Sequence, residues 1–467
     1  MPGKLMSWPD WPEFTPGKAE TGDDLIAYKK AIVDQYGQDA LVKSWLKVCK
    51  ELESVTDRIA ELGSSAIPEV SFDDMFTLSP EKKEELKNVG CFVVRDVFTR
   101  EQADEWFLNL KEYVAANRSS IGVMELDTEM ARSFPVLPFF SGEYLTWERG
   151  KTIGWPAETP FILNLYFSPT QIAARSHPNQ LRLSTELNSW WHDDEGTTTP
   201  EPLSYADGVR IRPPGVPFRG LGPHIDAGSL CRWADPMYRS FYDAVFSGRP
   251  EDLDSYDLTK RKKAKQAMFA GSAHSRVFRS FQGWTALTSA GPGEGSLMLY
   301  PDVKWAMSYL LLRPFFRPPS DEADVMDATR WTFDAAGESP WFPGTFRDDS
   351  QLLSPSSHPH LRLPECMVGI PRMNPGDTVW WHADMCHAVE VEHNGDHEAS
   401  VAYIAATPRT EQNMNYVKHQ LEDMLNGIPP EDFRRGSSEK TFRMFTGEKS
   451  NLGGEAGRRA MGFDLIV

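Results

Sequence analysis

The sequence predicts an α+β chain, and three observations predict it. Apolar residues fall at helical spacing between residues 24 and 62, about eight short strand-like runs follow one another between residues 205 and 406, and an amphipathic stretch closes the pattern at 411–425. Helical insertions separate several of the strands.

Residues 1–22 are Pro-rich and polar, with Trp8, Trp11 and Phe14 spaced along them, and are expected to form an arm on the surface of the body. The apolar set Leu25, Tyr28 and Ile32, then Leu41, Trp45, Val48, Leu52, Val55 and Ile59, predicts two core-packing helices broken near Gly37. Ser79 before Pro80 reads as an N-cap with proline at the first helical position, and that helix should end at Val89-Gly90. Residues 91–97 then form a strand, and Thr99 caps a helix through Tyr113. Strands are expected at 205–212, 225–232, 276–287, 296–300, 367–372, 378–382, 387–391 and 400–406, with helical insertions at 234–246 and 303–312. The basic run 259–265 follows the acidic stretch 251–257 and reads as a solvated helix face. Residues 318–364, rich in Pro, Ser, Asp and Gly, are expected to form a long loop near the mouth of the fold, where a substrate lid is one reading and a surface excursion the other. The tail 428–467 carries Phe433, Phe442, Phe445 and Phe463 and should pack on the body or on a partner subunit.

The 49 basic and 67 acidic residues leave a net charge of -18, which argues against nucleic acid or an anionic membrane as partner and requires local arginines for any anionic ligand. Five scattered cysteines, Cys49, Cys91, Cys231, Cys366 and Cys386, show neither a disulfide framework nor a zinc pattern. With no signal-like apolar run and no spanning segment, a cytoplasmic, reducing compartment is the simplest home. No Ser-His-Asp order, phosphate loop or dinucleotide fingerprint is present.

His-x-Asp occurs three times, at His192/Asp194, His224/Asp226 and His382/Asp384. In a strand, residues i and i+2 point to the same side, so such a pair can reach one metal ion. His192 ends a helical stretch and reads as structural, whereas His224 follows Pro213-Pro214-Gly215 and Gly222-Pro223, turn chemistry that places it at the start of a strand. His387 lies five residues beyond His382, at the mouth of the distal strand; it is assigned to the metal, and His382 to its surroundings or the core. Two imidazoles and one carboxylate, His224, Asp226 and His387, leave three positions open on an octahedral ion, which suits non-haem Fe(II) oxygen chemistry. Cys386 should point away from His387 as buried filler.

The unit around Gly90-Cys91-Phe92-Val93-Val94-Arg95-Asp96-Val97-Phe98, with its two capped helices, resembles the opening of phytanoyl-CoA dioxygenase-like proteins, and Gly376-Asp377-Thr378-Val379 leading to His387 resembles their distal histidine strand. Over nearly its whole length the chain is similar to the YbiU-like branch of that superfamily. The residues that carry this are 222–229, 291–295, 312–318 and Trp380-Trp381-His382. The resemblance implies a double-stranded β-helix, a cupin-like jelly roll with the metal at its open mouth, spanning 78–410. Residues 1–77 would be an arm and helices packed on it, and 411–467 a C-terminal helix and tail, the whole read as one structural unit.

The resemblance also implies Fe(II), 2-oxoglutarate and O2 as cofactors, and oxidation of an unactivated C–H bond in a small polar metabolite, an amino acid or carboxylate. Hydroxylation is the default outcome, and oxidative C–N ring closure such as aziridine formation on valine is the other. Halogenating relatives lack the carboxylate that Asp226 supplies. Relatives usually place an arginine two residues before a serine on the strand after the distal histidine, but here Glu398 precedes Ser400. Candidates for the distal carboxylate of 2-oxoglutarate are therefore Arg409, Arg210 and Arg212, with Ser400 beside them. Arg232, Arg276, Arg279, Trp284, Tyr300 and Trp380 are candidates for the substrate pocket. An iron oxygenase that uses no 2-oxoglutarate, motivated by Glu398, and a metal-binding jelly-roll module without turnover are the alternatives. Neither substrate identity nor oligomeric state is legible.

Overall fold

The computed structural model describes residues 23–118, 154–156, 160–219, 221–269, 275–334, 340–347, 349–433, 438–447 and 453–466. The arm expected over residues 1–22 lies outside them.

Asp23–Tyr36 and Gln38–Leu62 are helices, separated at Gly37, whose φ of 83° is a conformation open to glycine. One stripe of the longer helix, including Leu41, Trp45, Val48, Leu52 and Ile59, is buried, as the spacing requires. The Ser79 hydroxyl accepts from the Lys82 amide ahead of Pro80–Val89, and the Thr99 hydroxyl accepts from the Gln102 amide ahead of Arg100–Ala116.

Two open sheets form the centre of the fold. The larger has eight strands in the order Glu69–Ser71, Cys91–Arg95, Thr378–His382, Phe281–Ala286, Ala399–Ala406, Val209–Arg212, Ile162–Leu163 and Gly154–Trp155. All its pairs are antiparallel except the first. The smaller has five antiparallel strands in the order Gln351–Leu352, His224–Ile225, His387–Val389, Leu297–Leu299 and Val368–Gly369. Among the described residues neither sheet closes on itself, so the architecture is mixed α+β with a large sheet and many helices.

Two expected elements take another form. The run 225–232 is not one strand: the chain leaves the sheet after Ile225, turns through Ala227 and Gly228 at positive φ, and enters the helix Cys231–Ala234. Within 318–364, Gln351–Leu352 forms the edge strand of the smaller sheet, with Leu352 opposite His224. A two-residue strand carries no alternation, which is why composition alone reads there as loop. The C-terminal helix Glu411–Leu425 starts at the Thr410 cap. The tail is tied to the body by Glu439, whose buried carboxylate accepts from the Tyr113 hydroxyl and from the amides of Tyr166 and Phe167. No described helix is long and apolar enough to cross a membrane.

Candidate metal centre

His224 and His387 face each other across adjacent strands of the smaller sheet, and Asp226 follows just past the end of the first. One ligand atom from each lies within 4.8 Å of the other two. His224 Nε2 is 3.8 Å from Asp226 Oδ1, His387 Nε2 is 3.6 Å from Asp226 Oδ2, and the two rings are 4.1 Å apart. Each imidazole is oriented from behind. His224 Nδ1 lies 2.7 Å from the Gly222 carbonyl and His387 Nδ1 lies 3.0 Å from the Met385 carbonyl. A carbonyl only accepts, so Nδ1 of each ring carries a proton and Nε2 is the atom turned toward Asp226.

Burial raises the Asp226 carboxyl, but His387, His224, Arg279 and the Ser350 hydroxyl, 3.2 Å from Oδ1, together hold it below the ordinary carboxylate range. Burial, reinforced by His224, holds the His387 imidazole down at about 3. The site therefore presents an ionised carboxylate with a neutral imidazole, the protonation states that metal ligation needs.

From His387 a file of side chains runs along the inner face of the larger sheet. The Trp381 ring is 5.2 Å from His387, Trp284 stands 6.4 Å beyond it, and the Arg210 guanidinium lies 4.5 Å over Trp284. Gln282, opposite Trp381 in register, shares that face. Five donors on this wall, Trp381 Nε1, Trp284 Nε1, Gln282 Nε2, and Arg210 Nε and Nη1, are buried without a hydrogen-bond partner.

The Gig2-like family pattern matches residues 22–463. The chain belongs to that family. The uncharacterized protein YbiU of Escherichia coli (strain K12) is 30% identical over 462 residues, 95% of this chain and 99% of its own. The crystal structure of the GlcNAc Inducible Gene 2 protein of Candida albicans matches with a TM-score of 0.76 at 26% identity, covering 97% of this chain and 90% of that one. The hypothetical protein JW0805 of Escherichia coli matches with a TM-score of 0.74 at 27% identity, over 97% of this chain and 100% of that one. A Salmonella typhimurium LT2 protein, provisionally named an oxidoreductase, matches equally at 0.74 and 26%, over 98% and 99%.

In this Gig2-like chain the arginine candidates separate clearly. Arg409 is bound to Asp464, the Arg459 carbonyl and Glu201, in a two-stranded ribbon apart from both sheets. Arg212 donates to the carbonyls of Glu390, Val391 and Val216 and fixes the chain beyond His387. Arg276 is exposed and paired with Glu431. Arg232 is wholly buried and donates to the Asp226 carbonyl and the Tyr238 hydroxyl. Ser400 holds the Arg210 carbonyl with its hydroxyl, and Glu398 pairs with Lys111 at 2.7 Å toward solvent. Two arginine candidates make no side-chain hydrogen bond among the described residues. Arg210 is one, and Arg279, 14% exposed and 3.9 Å from both Asp226 and Asp207, is the other.

The aromatic candidates divide by strand parity. Trp284 faces the triad side, whereas Trp380 points through the other face, packs over Gly283 and donates to Thr378. His382 shares that outer face, stacked on Trp191 with Nε2 against the Ser255 carbonyl. Tyr300 is buried one residue beyond Leu299; since Leu299 is opposite His387, Tyr300 lies on the far side of the smaller sheet with Cys386. His192 sits at the surface against Asp254 and Asp194. Trp381, Gln282 and Ser350 were not anticipated. Parity makes one of Trp380 and Trp381 face inward, but only the register with Gln282 and the contact with His387 decide which.

Proposed function

We propose that this Gig2-like chain is a non-haem Fe(II)/2-oxoglutarate-dependent oxygenase that oxidises an unactivated C–H bond of a small polar metabolite, an amino acid or a carboxylate. The observation that carries the reading is the convergence of two Nε2 atoms, oriented by backbone carbonyls, with one ionised carboxylate. Such a donor set on one face of an octahedral ion leaves positions for a bidentate oxo acid and dioxygen. In this reading the two sheets are the walls of a double-stranded β-helix, with His224, Asp226 and His387 at its mouth.

Ferrous iron with a chelated 2-oxo acid would supply the activation of dioxygen and the removal of a hydrogen atom; the chain's own residues bind, orient and exclude water. The unpartnered donors of this wall suit an anion. Arg210 offers its fork to the distal carboxylate of 2-oxoglutarate, while Trp381, Trp284 and Gln282 provide the neighbouring N–H groups. Arg210 stands on the strand paired with Ala399–Ala406, with Val401 directly opposite. Arg279, beside Asp226 and still reached by solvent, is placed for a carboxylate of the substrate. Hydroxylation and C–N ring closure are both within this chemistry. Glu398 supports a second reading, an iron oxygenase that uses no 2-oxoglutarate.

The deciding experiment is an anaerobic optical titration of metal-free protein with Fe(II), then with 2-oxoglutarate. A weak visible charge-transfer band that disappears in Asp226→Ala is the expected result. Iron uptake without the band moves the assignment to the second reading, and absence of iron binding removes the oxygenase.

A further inference from the structure

Asp226 precedes a turn that the backbone does not favour. Ala227 has φ 63° and Gly228 φ 96°, and a Cβ at residue 228 would lie 2.2 Å from Cys231 Sγ and 2.8 Å from the Gln266 carbonyl oxygen. A non-glycine residue in the left-handed region persists only where its surroundings fix it. Here two consecutive carbonyls are held: Arg232 Nη2 donates to Asp226 O at 2.6 Å, and the Tyr238 hydroxyl donates to Ala227 O at 2.9 Å. Arg232 Nη1 donates in turn to the Tyr238 oxygen at 2.6 Å.

The same arginine reaches the other ligand-bearing turn. Asp384 lies between the strands Thr378–His382 and His387–Val389, three residues before His387. Its Oδ1 is 3.5 Å from Arg232 Nη1 and 3.6 Å from Arg261 Nη2, and its Oδ2 accepts from the Tyr242 hydroxyl at 2.9 Å. The Asp384 amide donates to His382 Nδ1, and the next residue, Met385, offers the carbonyl that orients His387. Arg232, Arg261, Tyr238, Tyr242 and Asp384 are all buried, so this is a buried network between the turn carrying Asp226 and the turn carrying His387.

We propose that Arg232 and Asp384, with Tyr238, form a clamp that sets the separation of the two ligand-bearing turns and thereby the affinity of His224, Asp226 and His387 for a divalent metal. The inference rests on the metal-centre reading above. Arg232 acts through the Asp226 backbone and is a positioning residue, not a substrate contact. Partners behind the ligands typically govern ten- to a hundredfold in metal affinity.

The test is titration of metal-free full-length protein with Co(II), followed by its visible d–d spectrum, beside the melting temperature of the metal-free form. Tyr238→Phe keeps the ring and removes the bond to Ala227; it should weaken Co(II) about tenfold and alter the spectrum. Arg232→Lys keeps the charge toward Asp384 but loses the two-pronged reach, and should weaken it by roughly ten- to a hundredfold. Glu439→Ala, a destabilising change away from the clamp, should lower the melting temperature and leave the affinity unmoved. If Tyr238→Phe and Arg232→Lys lower the melting temperature while Co(II) affinity and spectrum stay those of the wild type, the network is only a buried ion pair and the clamp is overturned. A wild type that binds no Co(II) at all overturns the metal centre itself, and the clamp with it.

Discussion

Replacing Arg210 with methionine should stabilise the metal-free protein and weaken 2-oxoglutarate binding at once, and the opposite signs follow from its surroundings. Arg210 is 1% exposed, its Nε and Nη1 have no partner, and burial holds its guanidinium below the usual arginine range, with only Tyr403 and Glu390 opposing that shift. An uncompensated buried cation destabilises the apo-protein, and replacing such groups by apolar residues of similar volume commonly gains about 1–4 kcal/mol. The stack on Trp284 is largely kept by a methionine. With the ligand in place the balance inverts: removing one partner of a buried, hydrogen-bonded charge pair costs about 3–5 kcal/mol. At 1.4 kcal/mol per tenfold this is roughly a hundred- to several-thousandfold in Kd. The assay pairs urea unfolding of the metal-free form with anaerobic titration of the Fe(II) form by 2-oxoglutarate. A variant that is less stable than the wild type and binds 2-oxoglutarate with unchanged affinity would refute both the receptor role and the reasoning from orphaned donors.

Two further expectations concern stability. His360 and His382 are buried and held down at about 4, by burial in each case, with Arg313 also acting on His360. Between the ordinary imidazole value near 6.5 and about 4 the unfolded chain binds protons that the folded chain refuses, so stability falls as pH drops through that window, by about 2 kcal/mol per residue at pH 5. His360→Gln should flatten the slope of unfolding free energy against pH; parallel slopes for variant and wild type would count against it. Glu439→Ala leaves three donors without their acceptor, Tyr113 and the amides of Tyr166 and Phe167, and should cost about 3–5 kcal/mol by urea unfolding. A loss below about 1 kcal/mol would mean that the tail is anchored elsewhere.

Local chemistry was legible wherever one residue type has one physical job. Ser79-Pro80 and Thr99 open helices because their hydroxyls satisfy free amides, and Gly37 separates two helices because its φ is positive. The same holds for the longer strands, such as Thr378–His382 and Ala399–Ala406, whose runs are long enough to show β-forming residues. The edge strand Gln351–Leu352 was hidden in a stretch that reads as loop, and the run after Ile225 turned into a helix because the turn at Ala227 is fixed by Arg232 and Tyr238, partners that no local pattern announces.

For the site, the sequence by itself determined the donor types: two histidines and an aspartate, in a chain too acidic to hold an anion without a dedicated arginine. Only the tertiary structure decided which arginines are free to do so. Arg409 and Arg212 are occupied by Asp464, Glu201 and backbone carbonyls, while Arg210 stacks on Trp284 and Arg279 stands beside Asp226. It likewise turned Trp381 inward and Trp380 outward. The reason is the same in both cases: a side chain's type is written at its own position, but its partner and the face it presents depend on strand register and on residues far along the chain.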